Sequence, residues 1–126
     1  MRLLIDTHIL IWFLEGSKLL SKSRRQIIAN QQNDIFVRIA SLWEMAVKIS
    51  IGKLTLAHSL AAVIKQIAAQ DIEILPITPE HALQVFILPF HHRDPFDRII
   101  IAQSQIENLT IMTGDNDFGS YSVKLL

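Results

Sequence analysis

Four widely separated acids are the residues of this 126-residue chain best suited to chemistry: Asp6, Glu44, Asp97 and Asp115. Asp6 closes a short apolar run, and Asp115 follows another by a short loop. Glu44 and Asp97 each stand three residues after an expected helix start, at Ser41 and Asp94. Open parallel sheets form ligand sites at the carboxyl ends of their strands, and helices that follow strands begin at that same edge. The four carboxylates could therefore converge on one rim. Like charges at short range are costly unless compensated. A hard divalent cation compensates them, because Mg2+ is held through one or two carboxylates plus water and substrate phosphate oxygens. The chemistry this permits is metal-assisted hydrolysis of a phosphodiester, with the cation activating water and offsetting the developing charge.

Each acid also has a structural use. Ser41-Leu-Trp-Glu44 fits a capping box, and Glu44 stands four residues before Lys48. Asp94 before Pro95 is a favourable N-cap, and Asp97 at the third helical position gains from the helix dipole. Asp115 and Asp117 lie in a Gly- and Asn-containing loop, where acids are ordinary turn residues. Asp6 has no comparable structural purpose beyond capping the apolar segment that follows it.

Other chemistries find less support. His91 and His92 lie beside Asp94, but adjacent His residues tend to point apart and no third nitrogen ligand follows from the spacing. His8 and His81 read as helix residues. There is no nucleophile elbow for a serine triad, and the four dispersed Gly form no phosphate-binding loop. Asp115-Asn-Asp117 lacks the later Gly and closing Glu of a calcium loop. The absence of Cys removes disulfides, thiolate zinc sites and Cys nucleophiles together.

The elements that must position these acids follow from periodicity and caps. Arg2 to Asp6 reads as a strand, and Ile9 to Leu14 as a helix that Gly16 can end. Ser21 caps a helix to about Asn30, and Asp34 to Val37 is a second strand. From Ser41, apolar Leu42, Met45, Ala46 and Ile49 keep a helical period that Gly52 stops. Leu60, Val63, Ile64, Ile67 and Ala68 repeat that period, leading into a strand from Ile72 to Pro76. Thr78-Pro79 opens a short helix to about Leu88. Pro89 to Asp94 is a loop, and Asp94-Pro95 opens a helix to about Asn108. Leu109 to Met112 is a strand, Thr113 to Asp117 a loop, and Ser122 to Leu126 a last strand. Short apolar strands alternating with helical segments imply βαβ units and a parallel sheet covered on both faces.

Composition agrees with one compact domain over residues 1–126. Half of the residues are apolar and the mean hydropathy is +0.32, far from a disordered composition. The apolar stretch Leu3 to Leu14 is broken by Asp6, Thr7 and His8, too early for a membrane span of about 20 residues and unlike a secretion signal. A cytoplasmic location is expected. The 12 basic and 12 acidic residues cancel, but Asp6, Glu44, Asp94, Asp97, Asp115 and Asp117 hold half of the acids. An acidic metal site in a mildly basic body would give that balance. Such apolar content also predicts exposed apolar surface, which commonly marks interfaces.

Four stretches resemble the PIN domain in order over nearly the whole chain: Leu4-Ile-Asp6-Thr-His8; Ala40-Ser-Leu-Trp-Glu44-Met-Ala-Val-Lys48; His92-Arg-Asp94-Pro-Phe-Asp97-Arg98 with Ala102-Gln103; and Thr113-Gly-Asp115 with Phe118. They are most similar to the VapC-type toxins of toxin–antitoxin systems. The resemblance implies a three-layer α/β/α domain with a parallel sheet of four to five strands, and a Mg2+-dependent endoribonuclease that Mn2+ could also serve. Asp6, Glu44, Asp97 and Asp115 take the family's acidic positions as catalytic residues and metal ligands, with Asp6, Asp97 and Asp115 holding the ion directly or through water and Glu44, also counted among the ligands, orienting or deprotonating water. Asp94 takes a supporting or capping role, and Asp117 lies outside the strongest pattern. Arg98 and Arg93 could position RNA phosphates, with an ion pair from Asp94 to Arg98 as the structural alternative. The resemblance also implies a homodimer and a VapB-type antitoxin. The chain departs from the pattern at Arg38, where many relatives carry a small hydroxyl residue, and at Gly114, where a longer or charged side chain is common. The alternatives are a non-catalytic PIN-like RNA-binding or protein-interaction module, and a metal-dependent phosphoesterase acting on DNA or small phosphates.

Overall fold

Strands and helices alternate along the chain, which a computed structural model describes over residues 1–89, 95–113 and 124–126. In order they are β1 (Arg2–Ile5), α1 (Thr7–Leu14), α2 (Lys22–Ala29), β2 (Asp34–Arg38), α3 (Ile39–Ser50), α4 (Leu60–Ala69), β3 (Glu73–Leu75), α5 (Pro79–Ile87), α6 (Pro95–Glu107), β4 (Thr110–Met112) and β5 (Lys124–Leu125). The strands form one five-stranded sheet in the order β3-β2-β1-β4-β5, and every neighbouring pair is parallel. In register, Leu3 lies between Ile35 and Thr110, and Leu4 between Phe36 and Ile111.

Successive strand residues point to opposite faces, and the apolar residues divide accordingly. Leu3, Ile5, Ile35, Val37 and Met112 pack with Ile9 and Leu10 of α1, Ile28 of α2, Met45 of α3, and Val63 and Ile67 of α4. Leu4, Phe36 and Ile111 pack on the other face with Ile100 and Ile101 of α6. The continuous run Leu3-Leu4-Ile5 is fully buried, as a central strand covered on both faces requires. Each of these side chains contributes about 1.5–3 kcal/mol by leaving water. The result is the expected α/β/α layering.

Local signals set the helix ends. Ser21 accepts from the Arg24 N–H and Ser59 from the Ala62 N–H. Thr78 forms a capping box with His81, and Pro79 follows at the first helical position. Gly16 and Gly52, at φ of 65° and 74°, turn the chain after α1 and α3. Several boundaries differ from the sequence reading, most by a single residue, as at the ends of β1 and β2 and the start of β4. α1 begins at Thr7, directly after β1, because Asp6 itself is the cap. α3 begins at Ile39 with Arg38 as N-cap residue, so β2 passes into the helix with no loop and Ser41 is already inside it. β3 is shorter, Glu73–Leu75. The expected cap Asp94 and the stretch 114–123 lie outside the described residues. No helix among the described residues is long and apolar enough to cross a membrane.

Topology fixes where a site can form. From central β1 the chain moves to β2 and then β3 on one side, and returns to β4 and β5 on the other. The reversal puts a switch point between β1 and β4, where open parallel sheets form crevices at their carboxyl edge. α6 enters β4 through only two residues, so its C-terminus lies at the sheet's amino edge; there Arg2 of β1 donates to the Glu107 carbonyl at 2.7 Å. A helix of 13 residues is about 20 Å long. Running back across the sheet, it carries Asp97 in its first turn to the carboxyl edge.

Candidate functional site

Asp6 stands at the switch point. Its backbone N–H donates to the Met112 carbonyl at 3.3 Å, continuing the β1–β4 ladder by one residue. Its Oδ1 accepts from the Ile9 N–H at 2.9 Å, capping α1, and its Oδ2 accepts from the Thr113 hydroxyl. Asp6 is half-buried and Thr113 is buried. Arg24 of α2 donates to the Thr113 carbonyl at 3.2 Å, which fixes the residue after β4 against the second helix. Both donors to Asp6 among the described residues are neutral, so none of these residues cancels its negative charge.

Glu44 reaches the same edge from α3. The buried Thr7, next to Asp6 in sequence, has its hydroxyl 2.9 Å from Ser41 Oγ and 3.0 Å from Glu44 Oε1. Lys48 Nζ lies 2.7 Å from Oε2 and Arg38 Nη2 lies 3.7 Å from Oε1. Glu44 therefore meets two cations and a hydroxyl. The expected Glu44–Lys48 pair is present, but the Ser41–Glu44 capping box is not. With α3 starting at Ile39, Glu44 is the sixth helical residue, beyond reach of the cap, and Ser41 is fully buried against Thr7.

Asp97 occupies the first turn of α6 and is half-buried. Arg98 beside it is buried and donates to the Val85 carbonyl at 3.0 Å and the Pro89 carbonyl at 3.2 Å. It thus serves the carbonyl-rich C-terminus of α5, where a cation is favoured. These contacts fasten α6 to α5 and give Arg98 a structural use other than holding phosphate. Asp94, Asp115, Asp117, Arg93 and Gly114 lie outside the described residues.

Sequence reasoning placed Arg38 near the acidic rim but gave no role to two participants there. Thr113 and Thr7 bond to the two central carboxylates, and their signal was position: each adjoins a strand end on the carboxyl edge. Arg38 was noted as a departure from a family pattern, but its 2% exposure inside the acidic rim was not foreseeable from one sequence. His81, read simply as a helix residue, is fully buried. Its Nδ1 accepts from the Thr78 N–H and its Nε2 lies 3.0 Å from Glu107 Oε1, which joins α5 to α6.

Among the described residues, no group of three or more His, Cys, Asp or Glu lies close enough to hold a metal ion. The available donors are nonetheless all oxygen, and one or two carboxylates suffice for Mg2+, which keeps much of its water. Asp6, at the switch point with no cancelling cation among the described residues, fits that requirement.

A family model described as PIN domain matches residues 3–124 of the chain. No curated protein matches it in sequence. The fold is similar to solved structures of toxin–antitoxin proteins. VapBC2 from Rickettsia felis, bound to a DNA fragment from its promoter, gives a TM-score of 0.74 at 15% identity, covering 100% of this chain and 98% of that one. DNA-bound VapBC from Salmonella typhimurium gives 0.74 at 14% identity, covering 100% and 97%. A toxin–antitoxin complex from Klebsiella pneumoniae gives 0.64 at 20% identity, covering 98% and 94%.

Proposed function

The chain belongs to the PIN domain family, and from that premise we propose that it is a Mg2+-dependent endoribonuclease, the toxin of a VapBC-type pair acting in the cytoplasm. The observation that carries this reading is the position of Asp6. Its carboxylate stands at the β1–β4 switch point, oriented by the Ile9 N–H and the Thr113 hydroxyl, with no compensating cation among the described residues. A built anionic position at the crevice of a parallel sheet is suited to a hard cation and a phosphate.

Asp6, Asp97 and Asp115 would hold the ion, directly or through water, and Mn2+ could replace Mg2+. When bound, the ion supplies Lewis-acid stabilisation of the phosphate charge and activates water. Glu44, fixed by Thr7 and Lys48, orients the attacking water. That water's oxygen would bond to phosphorus and release a proton to Glu44 or solvent as the bond to the leaving ribose oxygen breaks, and the leaving oxygen would take up a proton from solvent.

Two exposed apolar stripes support the partner assignments. On α5, Leu83, Phe86 and Ile87 are 69%, 86% and 68% exposed; Trp43 and Val47 of α3 and Ile51 at its C-cap are also exposed. Residues three and four apart share a helix face, and contiguous exposed apolar surface commonly marks an interface. A second copy of the chain and a VapB-type antitoxin are the proposed occupants.

The test is side-by-side digestion of RNA and DNA by the purified protein with Mg2+, with EDTA, and with Asp6→Asn. The expected result is RNA cleavage with Mg2+ alone, lost in EDTA and in the variant. RNA cleavage that survives both changes would refute the metal-dependent reading, and preferential cutting of DNA would refute the ribonuclease assignment.

A further inference from the structure

We infer that Arg38 is a positioning residue for the proposed cation, acting through Glu44 to keep that carboxylate off the ion and to lower the negative charge the ion meets. The inference rests on the metal-dependent reading above. Arg38 is the last residue of β2 and the N-cap residue of α3, so it stands at the carboxyl edge one strand from Asp6, with an extended backbone at φ −80° and ψ 149°. Its side chain is 2% exposed, and Nη2 lies 3.7 Å from Glu44 Oε1.

The two central carboxylates differ in what surrounds them. Asp6 accepts from an amide and a hydroxyl, both neutral. Glu44 accepts from Thr7 and faces Lys48 on one oxygen and Arg38 on the other. A divalent ion that bound Glu44 would have to displace an ammonium at 2.7 Å and approach a buried guanidinium. At Asp6 it meets no such opposition from the described residues. Glu44 is therefore an anchor for two cations, and Asp6 is the carboxylate free to take the ion.

The charges of Asp6, Glu44, Arg38 and Lys48 cancel as a set. A unit charge buried a few residues from a divalent ion is only partly screened, so removing Arg38's charge should tighten binding by about tenfold or more. The ion would then be held weakly by the free protein and more firmly when a phosphate arrives.

The experiment is titration of the purified, metal-stripped protein with MnCl2 in the absence of RNA, by calorimetry and by the electron paramagnetic resonance signal of free Mn2+. Wild type is compared with Arg38→Gln, Arg38→Lys and Asp6→Asn. The expected result is that Arg38→Gln binds at least about tenfold more tightly, that Arg38→Lys, which keeps the charge, stays near wild type, and that Asp6→Asn abolishes binding. Equal affinity in wild type and Arg38→Gln, or weaker binding in Arg38→Gln, would overturn this inference alone. If Arg38→Gln does not fold, Arg38→Met removes the same charge while keeping a long side chain in the buried space, and unchanged or weaker binding there would overturn the inference. Absence of Mn2+ binding in wild type would overturn the metal reading itself, and this inference with it.

Discussion

Replacing Asp6 by Ala and by Asn should separate what its carboxylate does for the fold from what it does for the ion. Ala removes the α1 cap, the acceptor for the Ile9 N–H at 2.9 Å, at a cost of about 1 kcal/mol. It also strips the buried Thr113 hydroxyl of its acceptor, which costs about 1–3 kcal/mol more. The sum, about 2–4 kcal/mol, corresponds to a fall of roughly 6–15 °C in unfolding midpoint for a domain of this size. Asn caps a helix as well as Asp: its amide oxygen can accept from the Ile9 N–H, and its NH2 can donate to the Thr113 hydroxyl oxygen, so neither group is stranded. Asp6→Asn should therefore stay within about 1 kcal/mol of wild type, because it keeps the cap and gives up mainly the charge. The assay is thermal and urea unfolding in EDTA, so that no ion contributes. Equal and large losses in Asn and Ala would show that the negative charge itself supports the fold, and would refute the assignment of that charge to a ligand.

Three further outcomes follow from the same contacts. Glu44→Ala should cost about 2–4 kcal/mol in urea unfolding, because it takes a counter-charge from the buried Arg38; Lys48→Met should cost no more than about 0.5 kcal/mol, since that ammonium is well exposed. His81→Ala should lose about 2–4 kcal/mol by opening a cavity and breaking the bonds to Thr78 and Glu107, with Mn2+ affinity unchanged. Phe86→Glu, at an 86% exposed site, should leave the unfolding midpoint within about 1–2 °C of wild type while abolishing self-association in light scattering; a dimer that persists would remove the α5 stripe from the proposed interface.

Much of the architecture was legible because its signals are local. Alternating apolar runs and caps at Ser21 and Thr78 marked the elements, and the continuous run Leu3-Leu4-Ile5 marked a strand covered on both faces. The start of α3 was not legible, because Ser41 and Glu44 imitate a capping box while the helix begins at Ile39. Two long-range contacts decided otherwise: the Thr7 hydroxyl meets both Ser41 and Glu44 from outside the helix. Of the expected rim, Asp6 directly after β1 and Asp97 in the first turn of α6 stand where the sequence put them. The difference between Asp6 and Glu44 was not legible, because it arises from Arg38, Thr113 and Thr7, which only the folded chain brings to them. The burial of His81 against Glu107 is likewise a contact across 26 positions of sequence that no local pattern encodes.

Locating Mn2+ by anomalous diffraction from crystals of the metal-loaded protein tests the central claim most directly. The account predicts one strong peak at the carboxyl edge of the sheet, about 2.1 Å from an Asp6 carboxylate oxygen, or joined to it through a single water, with Lys48 still on Glu44. An ion at the opposite edge, in the cavity of about 400 Å3 lined by Asp34, Asp71 and Glu73, with none at Asp6, would contradict it.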